Sequence, residues 1–232
     1  EVLALFDGMS SVRLVPRDGE IYVLPLASEV RKRERQARLR SKLERGEALA
    51  MGSLAHGGGI MSHALHAGMK RAGVASSLSF ANEIRPELLE HAAKHNSVWT
   101  AETLPLAASM HEMAFDERAM RHLPRVEGLE MGLPCSGASV AGRAKKGTAL
   151  PEAHDQVGHL IAAAIAILAK ANPAFVIAEN VVPWSSSASA AILRTSLKEM
   201  GYELHERVLS GAEFNALEDR KRLLEGLVEE AT

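Results

Sequence analysis

Short apolar strand segments alternate with helical segments from residue 51 onward, and this alternation constrains the fold more than any other feature of the chain. A series of strand, helix, strand and helix in the first half is followed by a similar series in the second half. Such alternation predicts an α/β fold with a mostly parallel sheet covered by helices on both faces. The predicted strands are residues 51–54, 78–81, 126–132, 175–178 and 202–209, and the predicted helices are residues 62–72, 86–95, 152–171 and 188–200.

The composition excludes several classes of protein. Of the 232 residues, 47% are hydrophobic and 24% are charged, as expected for a soluble globular protein. No apolar run reaches the roughly 18 residues that a membrane-spanning helix needs. The first residues also lack the basic start and apolar stretch of a signal peptide. The single cysteine, Cys135, excludes an intramolecular disulfide and indicates a reducing, intracellular setting.

The first 50 residues are predicted to form an extension that precedes the main domain of residues 51–232. Residues 16–19 carry a turn signal, and residues 21–24 are strand-like. A helix is predicted from Ser28 to Arg45, and the stretch 28–46 holds eight basic residues against three acids. Two interpretations of this helix remain open. It is either a solvated helix stabilised by ion pairs between its own side chains, or an arm that contacts phosphates.

Polar features follow the predicted strands at their carboxyl ends, where open α/β sheets bind ligands. Gly57, Gly58 and Gly59 follow the first strand of the main domain, and a glycine-rich turn lets the backbone approach a ligand closely. Glu83 ends the next strand, where an acid accepts hydrogen bonds from ribose hydroxyls in nucleotide-binding βαβ units. Three glycines alone also fit a simple tight turn.

Three further features carry candidate chemistry. Cys135 follows Pro134 just past a predicted strand. It is either a reactive cysteine, whose thiolate acts as a nucleophile, or a small buried hydrophobic residue. Glu179 ends an apolar strand, so it is either paired in a structural ion pair or bonded to a substrate. Arg220 and Arg222 are spaced to share one face of a strand, although a solvated charge run fits the same pattern.

In this order the motifs resemble those of the DNA cytosine-5 methyltransferase family, over about residues 52–223. The resemblance implies a Rossmann-like S-adenosylmethionine-dependent methyltransferase fold, with residues 51–232 as the catalytic domain. It also implies S-adenosylmethionine as cofactor, no metal ion, and double-stranded DNA as partner. RNA is an alternative substrate, and a catalytically inactive regulatory binding module is a third possibility. The motifs that carry the resemblance are Gly57-Gly58-Gly59, Glu83, Pro134-Cys135, Glu179-Asn180-Val181 and Arg220-Lys221-Arg222.

The resemblance also implies a task for each residue. Cys135 would attack C6 of a cytosine that has left the base stack, and Glu179 would bond to the edge of that base. Arg220, in preference to Arg222, would orient the base. Basic residues in the loop 136–147 would contact phosphates. The donor would contact Gly57, Gly58, Gly59, Glu83, Ile84, Pro134 and Asn180, with Ile84 packed on its adenine.

The setting follows from the same resemblance. We expect a cytoplasmic, DNA-associated protein of a bacterial or phage-like system, without a membrane partner and monomeric by default. Four features depart from the family pattern. Ala55 stands where family members usually have phenylalanine, and no aspartate marks the end of the third strand of the domain. Residues 224–232 do not resemble the expected apolar strand, and no target-recognition region is evident.

Overall fold

The computed structural model describes residues 6, 9, 12–134 and 160–228. The strands are β1 (Val12–Arg17), β2 (Glu20–Pro25), β3 (Leu49–Leu54), β4 (Ser76–Asn82), β5 (Leu104–Leu106), β6 (Gly128–Met131), β7 (Phe175–Asn180), β8 (Glu203–Ser210) and β9 (Lys221–Val228). The helices are α1 (Ala27–Arg45), α2 (Ile60–Arg71), α3 (Pro86–His95), α4 (Met110–Phe115), α5 (Glu117–His122), α6 (Leu160–Ala171) and α7 (Ala188–Glu199). Two 3-10 turns cover Val182–Ser186 and Gly211–Phe214.

A seven-stranded sheet in the order β5-β4-β3-β6-β7-β9-β8 forms the centre of the molecule. Strands β3 to β7 run parallel to one another, whereas β9 runs antiparallel to both β7 and β8. The chain leaves β3 toward β4 on one side and later returns to pair β6 on the other side. In open α/β sheets, ligands bind beyond the carboxyl ends of the strands at such a reversal, which here lies between β3 and β6. The prediction of a mostly parallel α/β sheet with helices around it is confirmed.

The main core lies between the sheet and the helices α4, α6 and α7. Half of the residues of α6 are buried, and alanines on that face allow close approach to the sheet. A second, smaller core forms where α3 and the segment after it pack on β4 through Leu78, Ala81 and Leu89. Within the described parts of the chain, the helices are all too short or too polar to cross a membrane.

The N-terminal hairpin and the end of α1 form where the sequence predicts them. β1 and β2 pair antiparallel around Asp18 and Gly19, whose φ values of 53° and 81° suit a two-residue hairpin turn. Gly46 ends α1 with a φ of 64°, and its N–H donates to the carbonyl of Leu43.

One face of α1 packs against the rest of the fold and buries Arg35, so the interpretation of a fully solvated helix, one of the two that the sequence leaves open, is wrong for that face. Arg35 is only 1% exposed, and its guanidinium lies 3.9 Å from the centroid of the Tyr202 ring. The same guanidinium donates to the carbonyl oxygens of Met200 at 3.0 Å and Gly201 at 3.1 Å. These contacts supply the buried cation with acceptors from a distant part of the chain.

A second anchor of α1 is Glu127, which lies just before β6 and is 1% exposed. Arg38 Nε donates to Glu127 Oε1 at 2.9 Å, and Lys42 Nζ donates to Oε2 at 2.7 Å. The backbone N–H of Ala50 also donates to Oε2 at 2.7 Å. Because Arg38 and Lys42 are bound to this carboxylate, they are not directed toward phosphates. These contacts hold α1 against the amino end of the sheet.

The prediction that residues 224–232 do not form a strand is wrong for residues 224–228, which belong to β9. β9 forms backbone ladders with β7 on one side and β8 on the other, and this pairing imposes an extended backbone on a polar segment. Glu225 of β9 is 1% exposed and lies opposite Glu206 of β8. Burial, with the neighbouring Glu206 carboxyl, raises the pKa of Glu225 to about 8, so the side chain stays protonated inside the sheet at neutral pH.

Candidate active site

The loop between β3 and α2 exposes its backbone at the rim of the sheet. Gly57 and Gly59 adopt φ values of 55° and 74°, and Ala55 also lies in the left-handed region with a φ of 52°. A Cβ placed on Gly57 or Gly58 would meet no atom within 4 Å. The loop is therefore open on its outer side, as close approach of a ligand to the backbone requires.

Glu83 lies directly against this loop at the end of β4. Its Oε2 accepts the N–H of Gly57 at 2.9 Å, and its Oε1 accepts the N–H of Arg85 at 3.2 Å. The carboxylate is largely buried, whereas the adjoining Ile84 is 65% exposed and offers an apolar surface beside it. The structure thus brings together the glycines, the acid and the apolar side chain that the sequence predicts for a nucleoside-containing donor.

The end of β5 offers no acidic side chain to such a ligand among residues 107–109. Asn82 donates to the carbonyl oxygens of Leu106 and Ala108 and so ties the ends of β4 and β5 together. The Ser109 hydroxyl caps α4 by accepting the N–H of Glu112 at 3.0 Å. The expected absence of an aspartate here leaves the backbone and Ser109 as the polar groups at this strand end.

The end of β6 leads to Pro134, which is exposed and is the last described residue before residue 160. Asn180, 5% exposed at the end of β7, donates from Nδ2 to the carbonyl of Leu133 at 3.4 Å. Its Oδ1 accepts the N–H of Val181 at 2.8 Å. In this geometry Asn180 joins two neighbouring strand ends. Cys135 and the basic residues Arg143, Lys145 and Lys146 lie outside the described residues.

The end of β7 also carries Glu179, which is paired with Arg222. The Arg222 Nε lies 2.5 Å from Glu179 Oε1, and the two side chains are 23% and 33% exposed. Arg222 reaches Glu179 because β9 pairs with β7 in a register that sets Leu224 opposite Glu179. Arg220 precedes β9 and is exposed. The sequence resemblance favours Arg220 as the arginine that orients the base. The geometry instead favours Arg222, because Arg222 is the arginine that contacts Glu179.

Sequence reasoning missed a buried polar cluster beneath the glycine loop. His56 Nδ1 lies 2.8 Å from Ser53 Oγ and 4.0 Å from Glu130 Oε1, while His56 Nε2 accepts the indole N–H of Trp99 at 3.2 Å. Burial raises the pKa of Glu130 to about 7, although the neighbouring hydroxyls of Ser53 and Ser62 act to lower it. The available signal was Glu130 itself, an acid inside a strand predicted to be buried.

Comparison with known proteins identifies the family and the fold. The sequence matches the family model described as C-5 cytosine-specific DNA methylase over residues 50–225. No curated protein sequence matches the chain significantly. Among solved structures, the Schizosaccharomyces pombe Dnmt2 methyltransferase superposes with a TM-score of 0.59 at 20% identity, over 80% of this chain and 51% of that chain.

Two further solved structures share the fold. A putative DNA modification methyltransferase encoded within an Escherichia coli prophage has a TM-score of 0.55 at 17% identity, over 79% of this chain and 47% of that one. The Entamoeba histolytica methyltransferase EhMeth has a TM-score of 0.58 at 11% identity, over 80% of this chain and 54% of that one. The present chain thus spans about half the length of each of these three structures. With the family model covering three quarters of its residues, the chain belongs to the C-5 cytosine-specific DNA methylase family and has the sheet of the S-adenosylmethionine-dependent methyltransferases.

Proposed function

We propose that this chain transfers a methyl group from S-adenosylmethionine to C5 of a cytosine in double-stranded DNA, with Cys135 as the nucleophile. The observation that carries the proposal is the contact between Arg222 and Glu179 at the rim of the sheet. The arginine binds one oxygen of the carboxylate and leaves the other for a substrate. Asn180, next to Glu179, bonds to Leu133, which immediately precedes the Pro134-Cys135 pair.

The reaction needs a base that has left the helix, because C5 and C6 are not accessible to this chemistry inside the stack. The Cys135 thiolate adds to C6 and forms a carbon–sulfur bond. Glu179 accepts the N4–H of the cytosine, or donates to N3 when it is protonated, and this stabilises the electron density that moves into the ring. C5 then takes the methyl group as the sulfonium–carbon bond breaks. A water molecule takes the C5 proton, and the electrons of that C–H bond restore the double bond as the carbon–sulfur bond breaks and Cys135 leaves as a thiolate.

The donor site is proposed at the glycine loop and Glu83. S-adenosylmethionine supplies an activated methyl group on its sulfonium. The exposed backbone of Gly57 and Gly58 accommodates the methionine portion at close range, and the Glu83 carboxylate accepts hydrogen bonds from ribose hydroxyls. Ile84 offers its exposed side chain to the adenine ring. Pro134 immediately precedes Cys135 in the sequence, and Asn180 holds the neighbouring Leu133 by a hydrogen bond to its carbonyl oxygen.

Covalent trapping tests the proposal. The protein is incubated with S-adenosylmethionine and a DNA duplex that carries 5-fluorocytosine in varied contexts, and denaturing electrophoresis reports the adduct. Fluorine at C5 blocks the final elimination, so we expect a denaturant-resistant adduct that the Cys135→Ser variant does not form. A matched pair separates the arginines: Arg222→Ala should slow trapping by about 100-fold, and Arg220→Ala by less than about 10-fold.

The control substrate is an RNA of matched sequence that carries the same fluorinated base. Adducts on RNA alone would replace DNA with RNA in the proposal. No adduct on either, together with measurable binding of S-adenosylhomocysteine, would favour the regulatory binding module. An adduct that persists in Cys135→Ser would contradict the assigned nucleophile.

A further inference from the structure

We propose that His56 and Trp99 are positioning residues, which hold the glycine loop in the shape that receives the methyl donor. The inference rests on the donor site assigned above. Neither side chain belongs to the motifs that identify the family here, and both lie beneath the loop. The indole N–H of Trp99 donates to His56 Nε2 at 3.2 Å. The two rings meet edge to face, with their centroids 5.6 Å apart and an interplanar angle of 75°.

These bonds fix the tautomer of His56. An indole N–H only donates, so His56 Nε2 must accept and carries no proton. In the neutral ring the proton then lies on Nδ1, which donates to Ser53 Oγ at 2.8 Å. Burial lowers the pKa of His56 to about 4, so the ring is neutral at pH 7. A protonated ring would set its Nε2–H against the N–H of Trp99 and break the contact.

The side chain and the loop are coupled because His56 is itself part of the loop. The backbone N–H of His56 donates to the carbonyl of Asn82, and its carbonyl accepts the N–H of Gly59, both at 2.9 Å. The carbonyl of Gly59 accepts Nδ2 of Asn96 at 2.7 Å. A Cβ on Gly59 would lie 2.5 Å from both Asn96 Nδ2 and His56 Nε2. The loop therefore rests on the two side chains without spare room, and a shift of the His56 ring must shift the loop.

The support comes from a remote segment, because Asn96 and Trp99 follow α3 and lie about 40 residues beyond the loop in sequence. Trp99 also packs in the small core with Leu78 and Leu89, which anchors it to β4 and α3. A pure packing role would need only the ring of Trp99. The geometry also gives its N–H a role, because a hydrogen bond from that N–H selects the tautomer and orientation of His56.

The test compares variants that keep or remove single hydrogen-bonding groups, with the dissociation constants of S-adenosylmethionine and S-adenosylhomocysteine measured by calorimetry at pH 7.5. Trp99→Phe keeps an aromatic ring and removes the N–H, and we expect a dissociation constant about 10-fold higher, the size of one buried hydrogen bond. Trp184→Phe makes the same change at the other tryptophan of the chain, which is buried, and should shift the constant less than about 2-fold.

His56 variants provide the conservative rescue. His56→Gln retains an acceptor near the position of Nε2 and should bind the donor within about 3-fold of the parent protein. His56→Asn lacks that acceptor and should bind about 10-fold more weakly. At saturating donor, the trapping rate of Trp99→Phe should match that of the parent protein, because the N–H acts on donor affinity and not on the reacting base. The indole N–H resonance of Trp99 should move in His56→Asn and stay near its place in His56→Gln.

Two sets of results overturn the inference. If the parent protein binds donor and Trp99→Phe binds as tightly as Trp184→Phe, or His56→Gln as weakly as His56→Asn, the positioning role is wrong and the proposed function stands. If the parent protein binds neither S-adenosylmethionine nor S-adenosylhomocysteine, the proposed function fails and the inference fails with it. The pair of His56 variants decides the matter even where Trp99→Phe does not fold.

Discussion

Two buried glutamates, three residues apart in the chain, have opposite surroundings. Glu127, at the amino end of the sheet, is 1% exposed and meets Arg38, Lys42 and the N–H of Ala50. Glu130, nearer the rim in β6, is 3% exposed and has only hydroxyls and the neutral His56 ring beside it. Among the described residues, none forms a hydrogen bond with Glu130 Oε2. The Glu127 carboxylate is therefore paired with cations, whereas Glu130 has no cation partner in the described part of the chain and its pKa is raised toward the neutral, protonated form.

The difference separates a structural region from the region that we propose to be functional. At the amino end of the sheet, Arg35, Arg38 and Lys42 of α1 all have partners within the fold. At the rim, the polar groups are held by neighbours on one side only, as with Glu83 under the glycine loop and Glu179 beside Arg222. Sites for chemistry often keep such perturbed or partly satisfied groups, whereas structural ion pairs do not need them.

The largest effect should follow from breaking the paired carboxylate. Glu127→Ala leaves Arg38 and Lys42 without their buried partner, so we expect the free energy of unfolding to fall by about 3 kcal/mol in urea denaturation. The matched control is Glu34→Ala, which removes an exposed ion pair between α1 and Arg125 at 2.9 Å and should cost less than about 1 kcal/mol. Equal losses in the two variants would show that burial does not distinguish the contacts of α1.

The unpaired carboxyl should respond to pH. Burial raises the pKa of Glu130 from 4.5 to about 7, so the folded state holds a proton that the unfolded state releases. The stability from this proton is present below pH 4.5 and is lost as the pH rises through 7. Glu130→Gln mimics the protonated form at every pH. We expect equal stability near pH 4.5 and a variant more stable by up to roughly 3 kcal/mol at pH 8. Parallel pH curves for the two proteins would contradict an unpaired Glu130.

The same contrast explains what the sequence reveals. Periodicity and a few turn residues within each segment are enough to predict the α/β pattern and the polar strand ends. Because the strands are parallel, the ends that carry Gly57, Glu83 and Glu179 then lie at one rim of the sheet. The contacts of α1 depend on Glu127, Asn172 and Gly201, which are far away in the chain, so a basic helix resembles a solvated one. Local pattern carries no information on such partners.

The strand β9 cannot be predicted from its own sequence for a related reason. Glu225 and Gly226 argue against a strand when they are taken alone, and only the two neighbouring ladders impose one. The register of those ladders also decides which arginine meets Glu179, and spacing along the chain does not determine that register. The tautomer of His56 is likewise invisible in the sequence, because it depends on Trp99 approaching from another loop.

The smallest effect tests whether location or pairing separates the two regions. Ser187 caps α7 just beyond the turn that follows Glu179, so it belongs to the rim by position, yet its hydroxyl is 7% exposed and accepts the N–H of Ala190 at 3.1 Å. Ser187→Ala should therefore behave like a structural change, with a loss of about 1 kcal/mol in unfolding free energy and an unchanged dissociation constant for S-adenosylhomocysteine. Ser186→Ala, at an exposed neighbour, is the control for both measurements and should alter neither. Weaker donor binding in Ser187→Ala alone would mean that the whole rim responds as one unit, and that satisfied hydrogen bonds do not insulate a residue from the site.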